Sequence, residues 1–169
     1  MRPMCQRLSL PLLVLVLLSG VPRISTGQGR ALAVVGGAWE YDLSGTGTSG
    51  FGGLRLELPV HRFLVVEPGL TYAHYSTQFD AGVNYLIPEL QAQIQVPGRW
   101  VRPFLGVGVG FAYAWAGGAT ATDLSLSGSA GLRVRLAESW SARTELRARS
   151  IDPFHGTIAE WTFGIARRF

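Results

Sequence analysis

The stretch RPFLGVGVGFAYAW, residues 102–115, places glycine at positions 106, 108 and 110, with Leu105, Val107 and Val109 alternating between them. A dinucleotide-binding loop needs Gly-x-Gly-x-x-Gly after a strand and at the opening of a helix. Here Gly110 is followed by Phe111, Ala112 and Tyr113, and no helical pattern follows. A period of two belongs to a strand, whose successive side chains leave on opposite faces. Leu105, Val107, Val109, Phe111, Tyr113 and Trp115 therefore share one face, and Phe104, Gly106, Gly108, Gly110, Ala112 and Ala114 the other. One face is large and apolar. The other is almost bare, making room for long side chains from other strands at some loss of strand propensity.

The same alternation recurs in both directions, in segments of roughly ten residues separated by turn-formers. Eight strands are predicted: Ala31–Tyr41, Phe51–Leu58, Phe63–Ser76, Val83–Val96, Arg102–Trp115, Leu124–Leu136, Ser139–Ser150 and Thr157–Phe169. The connections DLSGTGTSG, TQFDAG, AGGATATD and IDPFHG read as longer loops, about five to nine residues by the loop signals, whereas PVHR, PGRW and AE read as tight turns. Long loops at one end and short turns at the other is the connectivity of an outer-membrane barrel, with the short turns and both termini on the periplasmic side.

The remaining strands sort by face in the same way. Trp140, Ala142, Thr144, Leu146 and Ala148 oppose Ser141, Arg143, Glu145, Arg147 and Arg149; Leu54, Leu56 and Leu58 oppose Arg55 and Glu57. Leu124, Leu126, Ala130, Leu132 and Val134 oppose Ser125, Ser127, Ser129, Arg133 and Arg135, and Leu86, Leu90, Ala92 and Ile94 oppose Glu89, Gln91, Gln93 and Gln95. A soluble lipocalin-like barrel would turn the apolar faces inward, and a membrane barrel would turn them outward. Soluble surfaces carry about 25–35% charged side chains, whereas this chain has 15% charged residues. Aromatic residues also gather toward the strand ends, as membrane interfaces require. Trp100, Trp140, Phe63 and Phe169 lie at the short-turn end, and Trp39, Tyr41, Phe51, Tyr72, Tyr113 and Trp115 toward the long-loop end.

The fold class that follows is all-β: an eight-stranded antiparallel up-and-down transmembrane β-barrel. Its lumen would hold Arg55, Arg133, Arg135, Arg143, Arg147 and Arg149 with Glu57, Glu67, Glu89 and Glu145. A barrel of this size is just wide enough for side chains to fill, and buried charges must be paired and hydrogen-bonded. An Arg/Glu network and no open pore is the expectation, with an ion-conducting lumen as the functional alternative.

The first residues read as a secretory signal peptide. Arg2 and Arg7 precede the apolar run Leu8–Leu18, which is too short for a membrane-spanning helix, and a small polar stretch predicts cleavage after Gly27. Residues 1–27 would then be the signal and 28–169 the barrel domain. The single cysteine, Cys5, would leave with the signal, which excludes cysteine metal sites and disulfides in the mature chain. Twelve arginines would face eleven acids with no lysine, so the overall excess of positive charge that marks many nucleic-acid binders is absent. No cofactor motif is present.

The chain ends EWTFGIARRF, with Trp161, Phe163, Ile165 and Phe169 on one face. This resembles the C-terminal strand of bacterial outer-membrane proteins, and the resemblance implies that Phe169 is the assembly signal read by the barrel assembly machinery. Arg167 stands on that face where the family more often has an apolar residue, and it can snorkel at the interface. The stretch PFLGVGVGFAYAW likewise resembles a strand of the small OmpA/OmpX-like outer-membrane β-barrel domain families. Membership would imply location and shape, and no shared catalytic set.

One local pattern could carry chemistry. AHYS sets His74 and Ser76 on one strand face, where a histidine can activate a serine. It resembles the His-x-Ser of lipid A 3-O-deacylases, with Glu89 the nearest downstream glutamate, although in that family the motif lies near the C-terminus. His61 and His155 show no metal-ligand spacing. Asp42, Asp80, Asp123 and Asp152 sit in or beside outer loops as solvated acids. The sequence thus favours a non-enzymatic, monomeric structural or surface-interaction protein in contact with outer-membrane lipid and lipopolysaccharide. A lipid A-modifying enzyme using His74, Ser76 and Glu89 is the first alternative, and a soluble periplasmic binding barrel the second.

Overall fold

A computed structural model describes residues 29–41, 48–77, 80–152 and 157–169, with the side chains of residues 41, 76, 77, 80 and 81 not described. The predicted signal peptide, the Ser76 side chain and His155 lie outside what is described. The strands are β1 (Ala31–Tyr41), β2 (Thr48–His61), β3 (Leu64–Thr77), β4 (Asp80–Gln95), β5 (Val101–Ala116), β6 (Ala119–Arg135), β7 (Trp140–Ile151) and β8 (Thr157–Arg168). Each pairs antiparallel with the next, and β1 pairs with β8 from Ala31↔Arg168 to Tyr41↔Ile158, closing the barrel. Closure leaves no open sheet edge, so the backbone polar groups can be satisfied within lipid.

Two expectations are corrected. The segments TQFDAG and AGGATATD are mostly strand: β3 runs to Thr77, β4 begins at Asp80, and β5 and β6 flank a turn at Gly117–Gly118. Both glycines have positive φ, at 53° and 92°, the conformation a two-residue hairpin needs and glycine supplies without strain. The Ala and Thr residues beyond that turn are ladder, as in Trp115↔Thr120 and Ala114↔Ala121. Connection length consequently does not distinguish the two ends of the barrel. The second correction concerns the outer aromatic girdle. Tyr72 and Trp115 face outward as expected, but Trp39 is 3% exposed and Phe51 7%, both inside the barrel.

Face assignment is fixed by register. Directly paired residues share a face, so Ala31↔Glu57 and Ala33↔Arg55 turn the odd-numbered residues of β1 inward with the charges of β2. The outward surface is apolar: Leu105 and Val107 are 66% and 68% exposed, and Leu54, Leu70, Leu126, Leu146, Phe163 and Ile165 are also exposed. Buried charge inside and exposed leucine, valine and phenylalanine outside is the inverse of a soluble barrel, and it sets aside the lipocalin-like alternative.

The bare face of β5 seats its neighbours. A Cβ at Gly106 would lie 2.6 Å from Gln91 Nε2, and one at Gly108 would lie 2.9 Å from Glu89 Oε1. At Gly110 it would meet the Pro88 carbonyl and lie 3.0 Å from Glu89 Cα, atoms of the β4 backbone that cannot swing aside. Gly110→Val should therefore lower the unfolding free energy by about 1–3 kcal/mol or more. Gly128→Ala, where a Cβ meets nothing within 4 Å, should stay within about 0.5 kcal/mol. Urea unfolding of the detergent-solubilised barrel, followed by tryptophan fluorescence, separates the two.

Candidate functional site

The lumen is the densest cluster of chemistry. Its wholly inward set is Arg55, Arg133, Arg143, Arg147 and Arg149 with Glu57, Glu67, Glu89, Glu145 and Glu160, all buried. Five cations meet five anions. Arg133 donates from Nε to Glu57 at 2.9 Å and from Nη2 to Glu67 at 3.2 Å. Arg143 bridges Glu67 and Glu145, each at 2.7 Å. Arg147 donates to Glu145 at 2.8 Å, to Gln91 at 3.1 Å and to Glu89. Arg149 donates to Glu89 at 2.5 Å, to Ser125 at 2.9 Å and to Glu160. Arg55 is held more loosely, with Nη2 on Thr71 at 3.1 Å and Nη1 3.6 Å from Glu89. Phe104 lies beside the guanidiniums of Arg133 and Arg143, 4.3 and 5.5 Å from its ring centre, an arrangement that favours desolvated cations.

Two residues change places relative to the sequence reading. Arg135 shares the parity of Arg133, but it is the last residue of β6 and only half-buried, and its Nε donates to the Ala137 carbonyl at 3.2 Å. It belongs to the rim and not to the network. Glu160 is fully buried against Arg149. It was legible as the inward neighbour of outward Trp161, and its inclusion makes the network neutral.

Above the charges, toward the end opposite the termini, the lumen holds an apolar cluster of Trp39, Phe51, Ala73, Ile87, Ala112 and Ile158, flanked by Tyr85 and Ile151. Trp39 and Tyr85 pack with ring centres 5.3 Å apart and planes tilted at 50°. At the opposite mouth a cavity of about 20 Å³, lined in part by Glu57, Gln95, Arg102 and Arg168, has room for about one water.

On the outer surface His74 is exposed, and its Nδ1 lies 2.9 Å from Asn84 Oδ1, which also accepts from the Tyr72 hydroxyl at 2.9 Å. The ring lies over Gly82, where a Cβ would come within 2.5 Å. Glu89 does not join this cluster: it points into the lumen, bound to Arg147 and Arg149, on the opposite face of the sheet from His74. Glu89 is thus separated from His74 by the barrel wall. Among the described residues no group of three or more His, Cys, Asp or Glu is placed to hold a metal ion.

Solved structures share this architecture. Neisserial surface protein A aligns over 84% of this chain and 98% of its own, with TM-score 0.69 at 12% identity. Ail, the attachment invasion locus protein of Yersinia pestis, aligns over 84% and 99%, with TM-score 0.58 at 15% identity. The outer membrane enzyme PagL aligns over 83% and 99%, with TM-score 0.52 at 17% identity. No curated protein sequence matches the chain. The family model for the outer membrane protein beta-barrel domain matches residues 12–169. Eight closed strands, an apolar outer face and that match together make this chain a member of the outer membrane protein beta-barrel domain family, located in the bacterial outer membrane.

Proposed function

We propose that this protein is a sealed, non-enzymatic barrel with a structural or surface-interaction role, and that its lumen serves stability and not transport. The observation that carries this is the filled interior: a neutral network of ten buried charges topped by the Trp39–Tyr85 cluster. Each arginine is engaged by a glutamate, leaving no line of free charge for an ion to follow. Support for a surface role comes by analogy from the similar folds of Neisserial surface protein A and of the attachment invasion locus protein Ail. The deacylase reading has less support, because Glu89 lies across the barrel wall from His74, bound to Arg147 and Arg149.

The test is electrical. Purified, folded protein added to a planar bilayer should give no steady conductance above that of the bare membrane. Reproducible single-channel steps from the folded monomer would overturn the sealed-lumen reading.

A further inference from the structure

Once the ten lumen charges are set aside, the remaining charges divide by end. At the end holding the chain termini, Arg62, Arg99 and Arg167 stand with Arg30, Arg102, Arg135 and Arg168, against Glu138 alone. At the other end, Glu40, Asp80, Asp123 and Asp152 lie in strands or just beyond them, and the described residues there include no arginine or lysine. The barrel is therefore electrically polar along its axis, basic at the end that holds the termini.

Three of these arginines are built alike. The guanidinium of Arg62 lies 4.4 Å from the centre of the Phe63 ring, that of Arg99 lies 5.8 Å from Trp100, and that of Arg167 lies 5.8 Å from Trp140. Phe63, Trp100 and Trp140 are all exposed. The pairs sit at the β2–β3 turn, ahead of β5, and across β7 and β8, and so are distributed round the rim. Among the described residues none of the three arginines forms an ion pair, although the lumen arginines all do. Aromatic rings at the membrane boundary settle at headgroup depth, which places each adjacent guanidinium at the level of lipid phosphates. Arginine binds such phosphates through paired N–H donors.

We propose that this rim binds the phosphate headgroups of anionic phospholipid in the inner leaflet through Arg62, Arg99 and Arg167, each seated on its aromatic neighbour. An acidic periplasmic macromolecule is the competing partner. The position of the three arginines beside lipid-facing rings, and not clustered over the mouth, favours lipid.

The full folded chain is reconstituted in vesicles of equal phosphatidylglycerol and phosphatidylcholine, and the lipids that stay bound are counted by native mass spectrometry. The wild type should retain phosphatidylglycerol in about tenfold preference, the scale expected for a few basic groups at an anionic surface. R62Q/R99Q/R167Q, verified as folded by its migration on an unboiled gel, should retain the two lipids near their bulk ratio. Each single substitution should lower the preference, which keeps the test open if the triple variant does not fold. No preference in the wild type, or an undiminished preference in the triple variant, overturns the proposal. So does arginine-dependent binding of soluble polyglutamate by barrels that show no lipid preference, an outcome that would assign the rim to an acidic macromolecule.

Discussion

Arg147→Met should lower the unfolding free energy by about 3–5 kcal/mol, the scale on which removing one member of a buried ionic cluster is felt. Arg147 donates to Glu145 and Glu89 and lies 3.7 Å from Glu160. Its loss leaves four arginines against five glutamates in a space that lipid and protein shield from water. The informative comparison is Arg147→Met/Glu145→Leu, which restores neutrality with four of each. Arg143, the other cation on Glu145, keeps Glu67 at 2.7 Å. If balance matters more than the number of ion pairs, the double variant should recover about 1–3 kcal/mol over the single one. Urea midpoints of the three proteins, read with band shift on unboiled gels, decide this. A double variant less stable than the single would mean that specific pairs dominate.

Trp39→Ala should cost about 3–5 kcal/mol as a large-to-small change in a packed cluster, because Trp39 is almost wholly buried and packed against Tyr85 among Phe51, Ile87 and Ile158. Trp39→Phe, which keeps most of the volume, should cost under about 1.5 kcal/mol. The two layers of the lumen can also be tested separately. Although Trp39→Ala removes the cap, the charge network beneath it remains, and the folded variant should stay electrically silent in a planar bilayer. Conductance appearing in this variant would assign the seal to the cap and not to the charges.

Period-two alternation was sufficient for the strands, and it labelled the faces wherever one side carried charge. β7, with Arg143, Glu145, Arg147 and Arg149 alternating with Ala142, Thr144 and Leu146, is the clearest case. It fell short on β1, where Leu32 and Val34 oppose Ala33 and Val35 and the one charge, Glu40, stands on the outward face with Leu32 and Val34. Trp39 takes its inward position from the register of β1 with β2, a tertiary fact that the alternation of one strand does not contain. Arg135 shows the converse limit: parity gives a direction but not a depth, and a residue at a strand's last rung leaves the lumen although it points the right way. The Gly117–Gly118 turn was hidden by composition, since Ala, Thr and Gly read as loop while the paired positive φ angles make a tight hairpin. Glu160 needed no tertiary information, only the neighbour rule applied to Trp161.

The distribution of lumen charge along the chain bears on the order of events in assembly. The β6–β7 hairpin brings four arginines and one glutamate; β2 to β4 bring one arginine and three glutamates; β8 brings Glu160 alone. Neither hairpin half is neutral, and pairs such as Arg133–Glu57 and Arg143–Glu67 join residues 76 apart in the chain. A half-barrel entering lipid early would carry its excess charge unmatched into the hydrocarbon, while the two halves attract one another at the seam. Strand closure is on this account expected to accompany insertion, because the arginine-rich β6–β7 hairpin meets the glutamates of β2 to β4 only when the sheet curls shut.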